Sequence, residues 1–131
     1  MGLSYESFDE RFFDVVDVKQ ELLTVCSGFT FIEGPIWNDV TGCLTFNDIP
    51  ESRTYRLERG NVVRLLRADT HKANGNAYDM DNNIIVCEHV RSCISRTNDQ
   101  GENLEVLASH FRGKELNSPN DVVVRSDGVI F

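Results

Sequence analysis

From Phe29 onward, apolar residues come in short runs separated by turn residues. That pattern predicts strands and hairpins. Ile36-Trp37 leads into the turn Asn38-Asp39-Val40-Thr41-Gly42 and then Cys43-Leu44-Thr45-Phe46. Asn76-Ala77-Tyr78 leads into Asp79-Met80-Asp81-Asn82-Asn83 and then Ile84-Ile85-Val86-Cys87. Val122-Val123-Val124 leads into Arg125-Ser126-Asp127-Gly128 and then Val129-Ile130-Phe131. Further strands are expected at 53–57, 62–66, 92–96 and 104–107, again with turn residues between them. Residues 1–28 read as a lead-in. Within it, 12–18 reads as a short helix or a strand, and Glu21-Leu22-Leu23-Thr24-Val25-Cys26 as a strand.

The three hairpins repeat. Setting Leu44, Ile84 and Val129 in register gives offsets of 40 and 45 residues. That is the length of one four-stranded propeller blade. The expected fold is therefore all-β: an incomplete β-propeller over 29–131, with two blades and the start of a third. The alternative is a compact sandwich, which the regular period and turn placement disfavour. A lone blade cannot bury both faces of its sheet, so propellers need about four to eight blades. The chain is on this reading the N-terminal piece of a longer propeller. Trp37 and Phe46 are expected in the core.

Composition narrows the function classes. Hydrophobic residues make up 40 % and charged residues 26 %, the balance of a globular chain. The net charge of −8 argues against a nucleic-acid partner, because phosphate binding needs a basic surface. No apolar run approaches the roughly 20 residues needed to span a bilayer, so no membrane partner is expected. Met1 to Glu10 lacks the basic and apolar regions of a signal peptide, so the expected location is cytoplasmic. The four cysteines include no Cys-x-x-Cys pair and read as small strand or core residues.

Candidate chemistry follows from the repeat. The first strand of a blade lines the central channel, and the residues just before it surround the channel mouth. Those residues are Phe31-Ile32-Glu33-Gly34-Pro35, Lys72-Ala73-Asn74-Gly75-Asn76 and Asn117-Ser118-Pro119-Asn120-Asp121. Each stretch offers a carboxylate or carboxamide oxygen beside Gly or Pro, whose restricted or permissive backbone holds a tight path. Oxygen donors converging on an axis suit a hard divalent cation, calcium above all, with magnesium, manganese or zinc as alternatives. The second strand of each blade returns to the same mouth, which makes Asp48, Glu88 and His89 candidate pocket walls. The Asp79–Asn83 stretch resembles the start of an EF-hand loop, but Ile84 and Val90 stand where Gly and Glu are required. Arg91, Arg96, His71 and His110 read as surface or turn residues.

Several of these motifs together resemble the gluconolactonase family, which also contains the senescence marker protein and the luciferin-regenerating enzyme. They are Glu33-Gly34-Pro35-Ile36-Trp37, Leu44–Pro50, Ala73-Asn74-Gly75, Cys87-Glu88-His89 and Leu116-Asn117-Ser118-Pro119-Asn120-Asp121-Val122-Val123-Val124. The resemblance implies a six-bladed propeller with one divalent metal in its channel, hydrolysing sugar lactones and related esters. It implies Glu33 and Asn120 as metal ligands and Asp121 as a catalytic residue. Asn74, Asn117, Glu88 and His89 are then substrate-binding residues, and the partner is a small lactone. Ser118 stands where the animal branch carries a substrate-contacting Arg, which argues against an animal-type sugar pocket. The family's remaining ligands lie in later blades, so this chain alone is expected to be inactive. A non-catalytic fragment or binding module, or a related ester or phosphotriester hydrolase, is the rival reading.

Overall fold

A computed structural model describes residues 4–131. After a single-turn helix, α1 (Phe12–Val15), the chain forms two four-stranded antiparallel sheets in simple meander order. The first holds β1 (Ile32–Asn38), β2 (Cys43–Asp48), β3 (Arg53–Glu58) and β4 (Val62–Arg67). The second holds β5 (Ala73–Tyr78), β6 (Ile84–Glu88), β7 (Cys93–Thr97) and β8 (Glu105–Ala108). A two-stranded ribbon, β9 (His110–Phe111) with β10 (Lys114–Glu115), then leads to a hairpin closed by the Val124–Ile130 bridge. The two sheets are propeller blades, and the last hairpin is the start of a third: the chain is an incomplete β-propeller.

Burial alternation on β6 explains how the blades stack. Ile84 and Val86 face one way and pack with Ala73, Ile36 and Leu66 toward the first blade. Ile85 and Cys87 face the other way and pack with Val122, Ile94 and Val124 toward the third. Period-two alternation thus places β6 between two apolar layers, and all five of its residues are buried. At the far end of the blades, Arg56 of β3, 3 % exposed, reaches the second blade and forms a bidentate ion pair with Asp99 at 2.7 and 3.0 Å.

Three expectations need correction. Glu21–Cys26 forms no strand; Leu22 and Leu23 are exposed, and the segment pairs with no strand that would satisfy its backbone. Of the helix and strand readings of 12–18, the helix is the one formed, as the single turn of α1. Phe46 is core, edge-on to Phe29 and stacked on Tyr55, but Trp37 is 58 % exposed because alternation turns it away from the face on which Ile36 packs. The repeat register moves by one residue in the third blade only. Leu44 and Ile84 remain equivalent, because Trp37 pairs with Leu44 as Tyr78 pairs with Ile84, and Asp48 meets Arg53 as Glu88 meets Cys93. The Val124–Ile130 bridge matches the Tyr78–Ile84 pair, so the third-blade counterpart is Ile130 and not Val129. Among the described residues, no helix is long and apolar enough to cross a membrane.

Candidate functional site

The ladders of β1 and β5 are both irregular at the same point. β1 carries a bulge between Glu33 and Ile36, and β5 one between Ala73 and Asn76. A bulge adds a residue to one strand and re-aims the side chains around it. Here it turns the strand entries toward a common cavity of about 190 Å³. Glu33, Gly34 and Pro35 form one wall; Asn74, Gly75 and Asn76 form the second. Asn120 and Asp121, from the segment leading into the third blade, form the third wall.

Hydrogen bonds between blades hold these walls together. The buried Asn47 side chain donates to the Asn74 carbonyl at 2.6 Å, and its own amide oxygen accepts from Thr54 Oγ1. Asn76 Nδ2 donates back across the boundary to the Gly34 carbonyl at 2.7 Å. The Gly75 N–H donates to the Asn120 carbonyl at 2.8 Å. The close approach explains the glycines. A Cβ on Gly34, whose φ is +59°, would lie 2.8 Å from Asn76 Nδ2 and closer still to the Asn74 carbonyl oxygen. A Cβ on Gly75 would lie 2.6 Å from the Asp121 Cα.

Of the residues expected from the sequence, Glu33, Asn74, Asn120 and Asp121 come together at this cavity. Glu33, Asn74 and Asn120 stand at matched positions, as the motif spacing implied. Ile32 pairs with Asp48 as Ala73 pairs with Glu88, which makes Asn74 the counterpart of Glu33 and Gly75 that of Gly34. Gly34 abuts the Asn74 carbonyl as Gly75 abuts the Asn120 carbonyl. Asn117 is exposed and outside the lining, and His89 is exposed beyond the end of β6. Glu88 is a clear departure. It shares the face of Ile84 and Val86 and is fully buried. Its carboxylate accepts from Ser95 Oγ at 2.7 Å, Arg67 at 3.1 Å and Arg91 at 3.2 Å, with His71 Nδ1 at 3.3 Å. A carboxylate so enclosed can present no oxygen to a substrate. Asp48 is likewise buried and caps the Thr30 and Phe31 amides at 2.9 and 3.1 Å. Sequence reasoning gave no role to Asn47 or Asn76; comparison with Pro35 and Val122 at the matched positions marks Asn76, as argued below.

The donor set was tested against the ion that the motifs imply. The charged and amide groups of the lining offer two carboxylates and three carboxamides, with no thiol or imidazole. Hard oxygen donors of this kind fit calcium or magnesium better than zinc or copper. One amide oxygen, Asn76 Oδ1, is buried without any hydrogen-bond partner. Among the described residues, no three His, Cys, Asp or Glu side chains group as a metal cluster. The lining fits a mixed carboxylate–carboxamide site.

Comparison with known proteins agrees with this architecture. Residues 31–131 match the family described as the SMP-30/Gluconolactonase/LRE-like region, and the chain belongs to this family. It is 24 % identical to a gluconolactonase of Zymomonas mobilis subsp. mobilis, over 95 % of this chain and 38 % of that protein. A solved gluconolactonase from Xanthomonas campestris superposes with a TM-score of 0.77 at 34 % identity, covering 82 % of this chain and 36 % of the other. A second solved structure, assigned as a gluconolactonase, gives a TM-score of 0.84 at 28 % identity, covering 94 % and 42 %. The chain thus spans well under half the length of these relatives.

Proposed function

We propose that the protein carrying this chain is a metal-dependent hydrolase of a sugar lactone or related ester, and that its reaction takes place at the mouth cavity. The observation that carries this reading is the meeting of Glu33, Asn74, Asn120 and Asp121 from three blade entries around one space. Family membership supports the same activity class.

Glu33 and Asn120 would hold the ion, calcium being the best match to their oxygens. When bound, such an ion polarises a carbonyl and lowers the pKa of water. Asp121 would orient a water; its Oδ1 accepts from the Val122 N–H at 2.9 Å, which holds the carboxylate. Asn74 offers an amide to substrate hydroxyls. Water adds to the lactone carbonyl carbon, the ring C–O bond breaks, and the ring oxygen takes the proton as the open-chain hydroxy acid leaves. Two ion ligands are few for a cation that takes six to eight oxygens. On this reading residues from further blades complete the site, and these 131 residues alone are a poor catalyst.

The test is acid release from D-glucono-δ-lactone by the parent protein, with and without a chelator and with Glu33→Gln. We expect chelation to abolish turnover and Glu33→Gln to weaken calcium binding by at least about tenfold. Turnover indifferent to both treatments would refute the metal mechanism. No turnover of any lactone or ester would refute the reaction class.

A further inference from the structure

Asn76 occupies a position that the other two blades fill with a hydrocarbon. Ile32 pairs with Asp48 as Ala73 pairs with Glu88, which sets Asn76 at the position of Pro35. Val122 stands two residues before the Val124–Ile130 bridge, as Asn76 stands two before the Tyr78–Ile84 pair. Val122 packs into the apolar cluster that joins the second and third blades. Asn76 is 5 % exposed, so an amide has been placed in a site built for an aliphatic side chain. Its Nδ2 bond to Gly34 accounts for half of the amide. The other half, Oδ1, is buried with no partner. An unpaired buried acceptor costs stability that a leucine would not. The side chain nevertheless lines the cavity described above.

We propose that Asn76 Oδ1 is the acceptor for an O–H group held in the cavity, which makes Asn76 a specificity-determining residue. The terminal amide torsion is soft, so a small rotation brings Oδ1 to an occupant. An occupant with a hydroxyl at this point satisfies the oxygen. One with only C–H there leaves it unpaired, and a site built around a hydroxyl discriminates strongly against the analogue that lacks it. The O–H belongs either to a hydroxylated substrate or to an ordered water. The substrate source rests on the lactone reading above; the water source does not.

The experiment has two arms. In the first, a high-resolution crystal structure of the parent protein is determined without substrate. Water density at hydrogen-bond distance from Oδ1 supports the proposal with water as the source. In the second, Asn76→Leu and Asn76→Asp are assayed on D-glucono-δ-lactone and on δ-valerolactone, which lacks the hydroxyls. Asn76→Asp retains an acceptor oxygen, so it separates loss of the acceptor from loss of the Gly34 bond. A substrate source is expected to raise KM for the hydroxylated lactone about five- to tenfold in Asn76→Leu, and less in Asn76→Asp. The KM for δ-valerolactone should stay within about twofold. The proposal is overturned if no water lies near Oδ1 and both lactones respond alike to Asn76→Leu. A cation bonded directly to Oδ1 overturns it as well. If the parent turns over neither lactone, the lactone reading fails, and the crystallographic arm alone decides whether Oδ1 receives an O–H. That arm needs no variant to fold.

Discussion

Gly34→Ala tests whether the mouth is held by close backbone approach between blades. Gly34 has φ +59°, and its carbonyl accepts the Asn76 side chain. A methyl group there would stand 2.8 Å from Asn76 Nδ2 and 3.1 Å from the Asn74 carbonyl carbon. Neither the strand entry nor the neighbouring backbone can yield without separating the blades. The left-handed conformation alone costs a non-glycine residue about 1–2 kcal/mol. The clash also breaks the Asn76–Gly34 and Asn47–Asn74 hydrogen bonds, each contributing about 1 kcal/mol. Gly60→Ala is the matched control, because Gly60 has φ +78° and nothing within 4 Å of an added Cβ. It carries the conformational cost without the clash. Equilibrium urea unfolding of both variants should show Gly34→Ala about 2 kcal/mol less stable than Gly60→Ala. With a urea slope of about 2 kcal/mol/M, that is a midpoint lower by about 1 M. Equal midpoints would mean that the two blades are not locked through this carbonyl, and the account of the cavity walls would fail.

Two further outcomes follow from the blade interior. Asp99→Ala leaves the 3 % exposed Arg56 guanidinium without its carboxylate and should cost about 3–5 kcal/mol in the same unfolding assay, whereas a well-packed Arg56→Met/Asp99→Leu pair should recover most of that loss. Burial pushes the Cys87 thiol up to about 11, with the Asp121 charge adding to the effect. In the native protein Cys87 should therefore resist iodoacetamide far beyond neutral pH while Cys26, which is half-buried, is alkylated, as peptide mass spectrometry would read. The sign for stability follows from the same shift. The unfolded thiol loses its proton first, so the contribution is full below about pH 8.5 and declines as pH rises toward 11. Rapid native alkylation of Cys87 at pH 8 would contradict its burial.

The blades were legible because strand content and turn chemistry are local. The short apolar runs at Cys43–Phe46 and Ile84–Cys87, bounded by Asn, Asp and Gly, need no tertiary information. What was not legible depends on partners. Glu21–Cys26 has the composition of a strand but lacks one to pair with. Glu88 was assigned to the mouth from its place at a strand end, yet its face is set by the parity of β6, which points it at Arg67 of the neighbouring blade. In the sequence Asn76 stood as one more polar residue in the Lys72–Asn76 mouth stretch. The ladder register sets it beside Pro35 and Val122, where its polarity is anomalous.

The same register separates what builds the mouth from what would act there. The carbonyls of Gly34, Asn74 and Asn120 all lie where neighbouring blades meet. Each accepts one bond from a neighbouring blade: from Asn76 Nδ2, Asn47 Nδ2 and the Gly75 N–H respectively. The scaffold of the cavity is therefore made of main-chain acceptors, two buried asparagines and two glycines. The side chains of Glu33, Asn74 and Asn120 take no part in these three bonds, and Asp121 engages only its neighbour's amide. Changes at Gly34 or Asn47 should thus lower stability and distort the site together. Changes at Glu33 or Asn120 should leave the unfolding free energy nearly untouched and act on the site alone. Asn76 belongs to both groups: its nitrogen is spent on the scaffold, and its oxygen has no structural task left to perform.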